Sequence, residues 1–276
     1  MKERLSFSLL GIASAFVVSC AGPPASLVPE APEPAALQSG KSGRAILGAS
    51  ADAQGSDWNR FARVEVGYDG EWATFPKLTQ PDLVDPAFRG SSREVYRTGP
   101  GVVEQTHEGP GGTKTVHRVR GDDQVEVSYN GEVNREEEVE DAAALVADAY
   151  AMFLFGASWL LDQGREFRYL GTRGLDGRTC ELVEVSLAPG IGRSASDRAV
   201  AWIDAEDRLM RRVTFTLNGL ESTRGAEVDV TMDEFVEGPG SSQWPTHFVE
   251  MIRKPVNTKA HEWWTTSLTV DGVRVR

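Results

Sequence analysis

Apolar and polar residues alternate along most of this chain, and two-residue turn signals punctuate the alternation. Pairs of the Asn-Gly and Asp-Gly type favour tight hairpins because both central positions need positive φ. Asp69-Gly70 separates ARVEVGY from EWATF, Asn130-Gly131 follows QVEVSY, and Asp176-Gly177 joins FRYLGTRGL to RTCELVEVSL. Asn218-Gly219 follows LMRRVTFTL, Asp271-Gly272 splits SLTV from VRVR, and Asp204 to Asp207 turns AVAWI into the next strand. The pattern predicts about ten antiparallel strands in a meander. A twisted sheet of that width must curl. Its inner face is expected to collect Trp202, Val213, Phe215, Val228, Val230 and Phe248.

One stretch breaks the alternation. Val139 to Leu161, VEDAAALVADAYAMFLFGASWLL, reads as a single long helix. Glu136, Glu137, Glu138, Glu140 and Asp141 crowd its start, where carboxylates favour the positive end of the macrodipole. Asp141, Ala144, Asp148 and Ala151 form a narrow small-or-polar stripe that vanishes beyond Met152. A bilayer span competes for the same stretch. Asp148 near its middle would cost roughly 2.5–3.5 kcal/mol on insertion scales, and a span would leave the strands on either side with unpaired edges. The expected fold is therefore α+β, a curved antiparallel sheet or incomplete barrel of about ten strands wrapped around one long helix. The turn-rich run Thr79 to Arg97 is either a surface excursion or the border of a cavity mouth.

The beginning of the chain has a different character. Lys2 and Arg4 precede the apolar run Leu5 to Val18, which suits an export signal. Val17, Val18, Ser19 and Cys20 resemble the bacterial lipoprotein signal box. By that resemblance residues 1–19 are removed, Cys20 is diacylated with palmitate-like chains, and the protein is held on a cell-envelope membrane. Ala21 after Cys20 points to the outer membrane, facing the periplasm. Two or more acyl chains hold firmly where one holds marginally. Residues 20–56 have little periodicity and are expected to be a flexible tether, leaving 57–276 as one domain with a sizeable core.

Charge and chemistry narrow the function classes. The net charge is −12 with scattered basic residues, so no nucleic-acid footprint is present. Of two cysteines, Cys20 is the lipidation candidate and Cys180 sits in a strand pattern as a buried small hydrophobe. The four histidines are His107, His117, His247 and His261, and no two stand at metal-ligand spacing on one element. A hairpin closing at Gly109 to Gly112 places His107 opposite about Lys114 or Thr115 and His117 opposite about Glu104. No serine occupies a nucleophile elbow, so no catalytic site, metal or cofactor is expected.

The segments AWIDAEDRLMRRVTFTL and EVDVTMDEFVEGPGSSQWPTHF, with Gly171 to Leu187 before them, resemble the LolA/LolB-like lipoprotein-carrier superfamily over about Phe167 to Met251. The resemblance implies an incomplete barrel, lidded by helices, around a cavity that receives acyl chains. The chain departs from the carriers in having one strong helix where they have several. The leading expectation is a lipid-anchored envelope protein whose partners are the membrane and a lipid or acylated protein. Met152, Phe153, Phe155, Trp159, Trp202 and Phe215 are expected to line the cavity between sheet and helix. The alternative is a structural or interaction module of the same fold with a closed interior.

Overall fold

The computed structural model describes residues 32–276. Cys20, the export signal and the first part of the expected tether lie outside them. Sixteen strands form, fourteen of them in one antiparallel sheet, which exceeds the ten read from the turns. Its order is β6 (Glu132–Asn134), β5 (Gln124–Tyr129), β4 (Gly112–Val119), β3 (Val102–Gly109), β2 (Ser91–Arg97) and β1 (Val64–Trp72). It continues through β15 (Thr258–Val270), β14 (His247–Lys254), β11 (Ala226–Asp233), β10 (Met210–Leu217), β9 (Asp197–Asp204), β8 (Arg178–Leu187) and β7 (Gly164–Leu175). β16 (Val273–Arg274) adds to β15, and β12 (Val236–Glu237) pairs with β13 (Gln243–Trp244) as a separate ribbon. The two edge strands β6 and β7 do not pair, so the sheet is open.

The expected single helix is two. α5 (Glu137–Phe155) and α6 (Ala157–Gln163) meet at Gly156 and carry the chain from one edge of the sheet to the other. Gly156 has φ +56 and ψ −126, a conformation open to glycine and closed to side chains. A Cβ there would also lie 2.5 Å from Gln54 Oε1. One apolar cluster joins α5 residues to Val103 of β3 and to Val183, Val185 and Leu187 of β8. In a flat sheet β3 and β8 would stand eight strand spacings apart, roughly 38 Å. A helix about 10–12 Å across reaches both only if the sheet curls around it. No helix among the described residues is long and apolar enough to cross a membrane.

Polar contacts fix the helices in that hollow. Asp148, 2% exposed, accepts hydrogen bonds from Arg118 of β4 (3.5 Å), from Arg120, and from the Gly192 N–H (2.9 Å) in the β8–β9 loop. Arg120 also reaches Gln163 at the end of α6 (2.8 Å) and the Gly190 carbonyl (2.6 Å), with its guanidinium over the Trp159 ring.

Two other expectations are corrected. The C-terminal half of the predicted tether is helical: α1 (Pro34–Gln38) and α2 (Gly43–Gln54). Ser42 caps α2 by accepting from Ala45 N–H at 3.4 Å, and Ile46 and Leu47 are buried in the main core against α6. Asp69-Gly70 is not a turn. β1 runs straight through it, because β15 approaches so closely that a Cβ on Gly70 would lie 2.5 Å from Trp263 Cβ. The β3–β4 hairpin closes as expected, pairing His107 with Lys114 and Glu104 with His117.

Candidate ligand cavity

Apolar side chains and two short helices enclose a cavity of about 540 Å³. α3 (Thr74–Thr79) and α4 (Pro81–Val84) form its outer side, contributing Phe75, Pro76, Thr79, Gln80 and Leu83. Pro81 disfavours helical backbone at the residue before it, and Gln80 accordingly leaves the helix with φ −137 and ψ 57. The two helices therefore cannot merge into one. Asp85 just after α4 accepts hydrogen bonds from Lys114 (2.7 Å) and Tyr129 (2.9 Å), which ties the segment to β4 and β5. At the other end, Gln80 and Ser222 exchange hydrogen bonds of 3.0 and 2.6 Å, bracing α3–α4 against the β10–β11 turn.

The inner wall is the sheet itself. Val228 of β11, Glu250, Ile252 and Lys254 of β14, Ala260 of β15, Trp72 of β1 and Leu217 of β10 face the space. A narrow inward extension of about 30 Å³ shares Trp72, Leu83, Leu217 and Glu250 with it. Leu145, Val146, Ala149, Tyr150 and Phe153 of α5, Phe215 and Arg89 complete that extension.

The expected lining residues divide. Phe153 and Phe215 face the extension, 5.6 Å apart between ring centroids. Met152, Phe155 and Trp159 are fully packed, with Phe155 against Trp58, Tyr96 and Trp244. Trp202 lies on the other face of the sheet, in a cluster with Leu170, Leu175, Cys180, Leu182 and Val200. The helix–sheet interface is closely packed around Met152, Phe155 and Trp159, and the larger open volume lies beside the helix, under α3–α4. Trp72, Leu83, Arg89 and Glu250 are the site residues missed by the turn and helix patterns.

A buried polar cluster stands behind the extension. Arg89 is 9% exposed, donates to the Leu83 carbonyl (2.7 Å) and the Tyr150 hydroxyl (3.3 Å), and stacks on Trp72 and Tyr150. Trp72 stacks on His261 at 4.0 Å between centroids, and His261 Nδ1 lies 3.4 Å from the Tyr150 hydroxyl. Burial, and then the Arg89 charge, holds His261 and His107 well below the ordinary imidazole range. Burial pushes the Glu250 carboxyl up to about 7, with Arg89 pulling the other way. Glu250 lines both the cavity and its extension. Glu94 is also raised to about 7 by burial, against its hydrogen bond from Tyr96.

One group of potential metal ligands comes together among the described residues: Asp233, Glu234 and His247, within 4.8 Å of one another. Both ring nitrogens of His247 are engaged, by Asp233 (2.7 Å) and Glu262 (3.0 Å). Burial lowers its pKa, but the hydrogen bonds with those two carboxylates outweigh burial and raise it above the ordinary imidazole value.

No family model and no curated protein matches the chain. Among solved structures, a LolA superfamily protein from Nitrosomonas europaea superposes with a TM-score of 0.52 at 10% identity, covering 86% of this chain and 94% of that one. A DUF1329 family protein from Desulfovibrio piger superposes with a TM-score of 0.51 at 11% identity, covering 83% and 92%. The fold is LolA-like. Identity at this level establishes architecture alone: a large open antiparallel sheet with helices on its inner side. Within that LolA-like frame, the cavity under α3–α4 is where this chain leaves its interior unfilled.

Proposed function

We propose that the protein is a lipid-anchored component of the cell envelope that binds a hydrophobic ligand, an acyl chain, lipid or lipoprotein, in the cavity beneath α3–α4. The single observation carrying the reading is an apolar-walled space of about 540 Å³. Pockets that bury drug-sized ligands run from about 300 to 1,000 Å³, whereas a closed interaction module would fill such a space with its own side chains. Phe75, which lines the cavity, and Leu78 on the same helix are exposed apolar residues, which suits transfer of a greasy ligand to or from a membrane or an acylated protein. The LolA-like fold agrees with this use, and the lipidation motif at Cys20 supports anchoring to an envelope membrane, the outer membrane in the reading favoured by Ala21.

Native mass spectrometry of protein purified in gentle detergent tests the reading. Bound lipid is expected, and added lipid should change the emission of Trp72, which half-lines the cavity. That change should disappear in Trp72→Phe. Absence of bound lipid together with an unresponsive emission would eliminate the ligand-binding reading.

A further inference from the structure

Three cations border the cavity and its extension: Arg224, Lys254 and Arg89. The first two already have carboxylates, Arg224 with Glu221 and Lys254 with Glu227 at 3.1 Å. Arg89 forms no ion pair among the described residues. A guanidinium carries five N–H donors, and Arg89 uses two of its Nη groups, on Leu83 and Tyr150. A charge this deeply buried is costly unless paired. It lines the narrow extension together with a carboxyl, Glu250, that accepts no hydrogen bond among the described residues.

We infer that Arg89 receives the carboxylate of a single-chain amphiphile, a long-chain fatty acid, held head inward with its tail along the apolar wall toward the α3–α4 mouth. The inference rests on the lipid-binding reading and specifies its ligand class. Fork-shaped guanidinium donors match a carboxylate in two parallel hydrogen bonds. Below about pH 7 Glu250, which lines the same extension, completes the site as an acid whose O–H donates to the same head. The groups facing Glu250 are Arg89, the Tyr150 hydroxyl, His261 on the neighbouring strand, and Lys254 and Arg224 at the mouth. Burial, and then the Arg89 charge, hold the His261 imidazole well below its ordinary range. Glu94 lies farther off, also within the reach of Arg89, and titrates in the same range.

The test uses the full processed chain, stripped of endogenous lipid, and three ligands with one tail: dodecanoic acid, dodecanol and dodecylamine. Below pH 7 the acid should bind about tenfold or more tighter than the alcohol, the size expected of a charge-assisted hydrogen bond. Arg89→Lys, which keeps the charge and loses the fork, should remove most of that advantage, read as the ratio of acid to alcohol affinity. The acid's affinity should fall as pH rises above about 7, where Glu250 ionises and repels the head. Glu250→Gln should flatten that fall, and persistence of the slope would assign it to Glu94. Equal binding of the three ligands, or tightest binding of the amine, overturns the inference while leaving lipid binding intact. If none of the three binds, the lipid-binding reading fails as well.

Discussion

Replacing Asp148 with alanine removes the carboxylate that joins four parts of the molecule. Its Oδ2 receives Arg118 from β4, Arg120 from the following turn and the Gly192 N–H from the β8–β9 loop, while its own backbone belongs to α5. Both Asp148 and Arg118 have side chains only 2% exposed, and that of Arg120 is 10% exposed. Arg118 keeps Asp123 (2.8 Å) and the Gly192 carbonyl (3.2 Å), and Arg120 keeps Gln163 and Gly190, so neither cation is wholly abandoned. Breaking a buried ion pair from one side costs about 3–5 kcal/mol. Because two arginines lose a shared partner but retain others, Asp148→Ala is expected within that range. Set against a total stability of about 5–15 kcal/mol for a domain, this is a large fraction. Urea unfolding followed by far-ultraviolet circular dichroism measures it, through the midpoint at constant slope. Asp148→Asn keeps one acceptor and should lose less. A loss below about 1 kcal/mol for the alanine variant would refute the view that this carboxylate pins the helix in the sheet.

The other expectations are simpler. Gly156→Ala forces a side chain into a backbone region closed to it and against Gln54, so it should cost about 1–3 kcal/mol. Adding Gln54→Ala should recover only the part due to the clash, and full recovery would show that backbone strain is not the cause. Cys20→Ala should shift the protein from the membrane fraction to the soluble fraction in cell fractionation, and retention in the membrane would contradict anchoring through that residue.

Much of the architecture is legible in the chain because it rests on local chemistry. Asn130-Gly131, Asp176-Gly177 and Asp271-Gly272 all adopt the positive φ pairs that their residue types favour, and each closes a hairpin. Asp204 makes the turn expected of it, accepting from its own Glu206 N–H at 2.8 Å. The failures are tertiary. Asp69-Gly70 carries the same local signal, yet its glycine serves the close approach of Trp263 in the middle of a strand. Gly156 breaks the long helix, and nothing within the helical run distinguishes a tolerated glycine from one in a mirror-image extended conformation facing Gln54. Trp202 lies on the face opposite the expected one because β9 is apolar on both sides. Ala199, Ala201 and Ile203 enter the main core while Val200 and Trp202 enter the outer cluster, so alternation cannot orient the strand.

The cavity was harder to read than the fold for a physical reason. Apolar composition predicts burial, and burial usually ends in close packing rather than in space. The greasiest run, Met152 to Leu160, became the best-filled part of the protein, with Phe155 touching three aromatic rings. Empty volume arises instead where backbone geometry holds two walls apart, as Pro81 and the Gln80–Ser222 brace do for α3–α4. One polar marker was nevertheless visible. In HFVEMIRK, Phe248, Glu250 and Ile252 occupy the same face by the two-residue period, and a carboxyl set between two core-facing apolar positions must meet either a partner or a cavity. Arg89 carries no such mark, since it sits in the irregular stretch between α4 and β2 and its setting is assembled from Trp72 and Tyr150, distant in sequence. A strand acid on an inward face is thus the one feature of this chain from which the site could have been located before its walls were known.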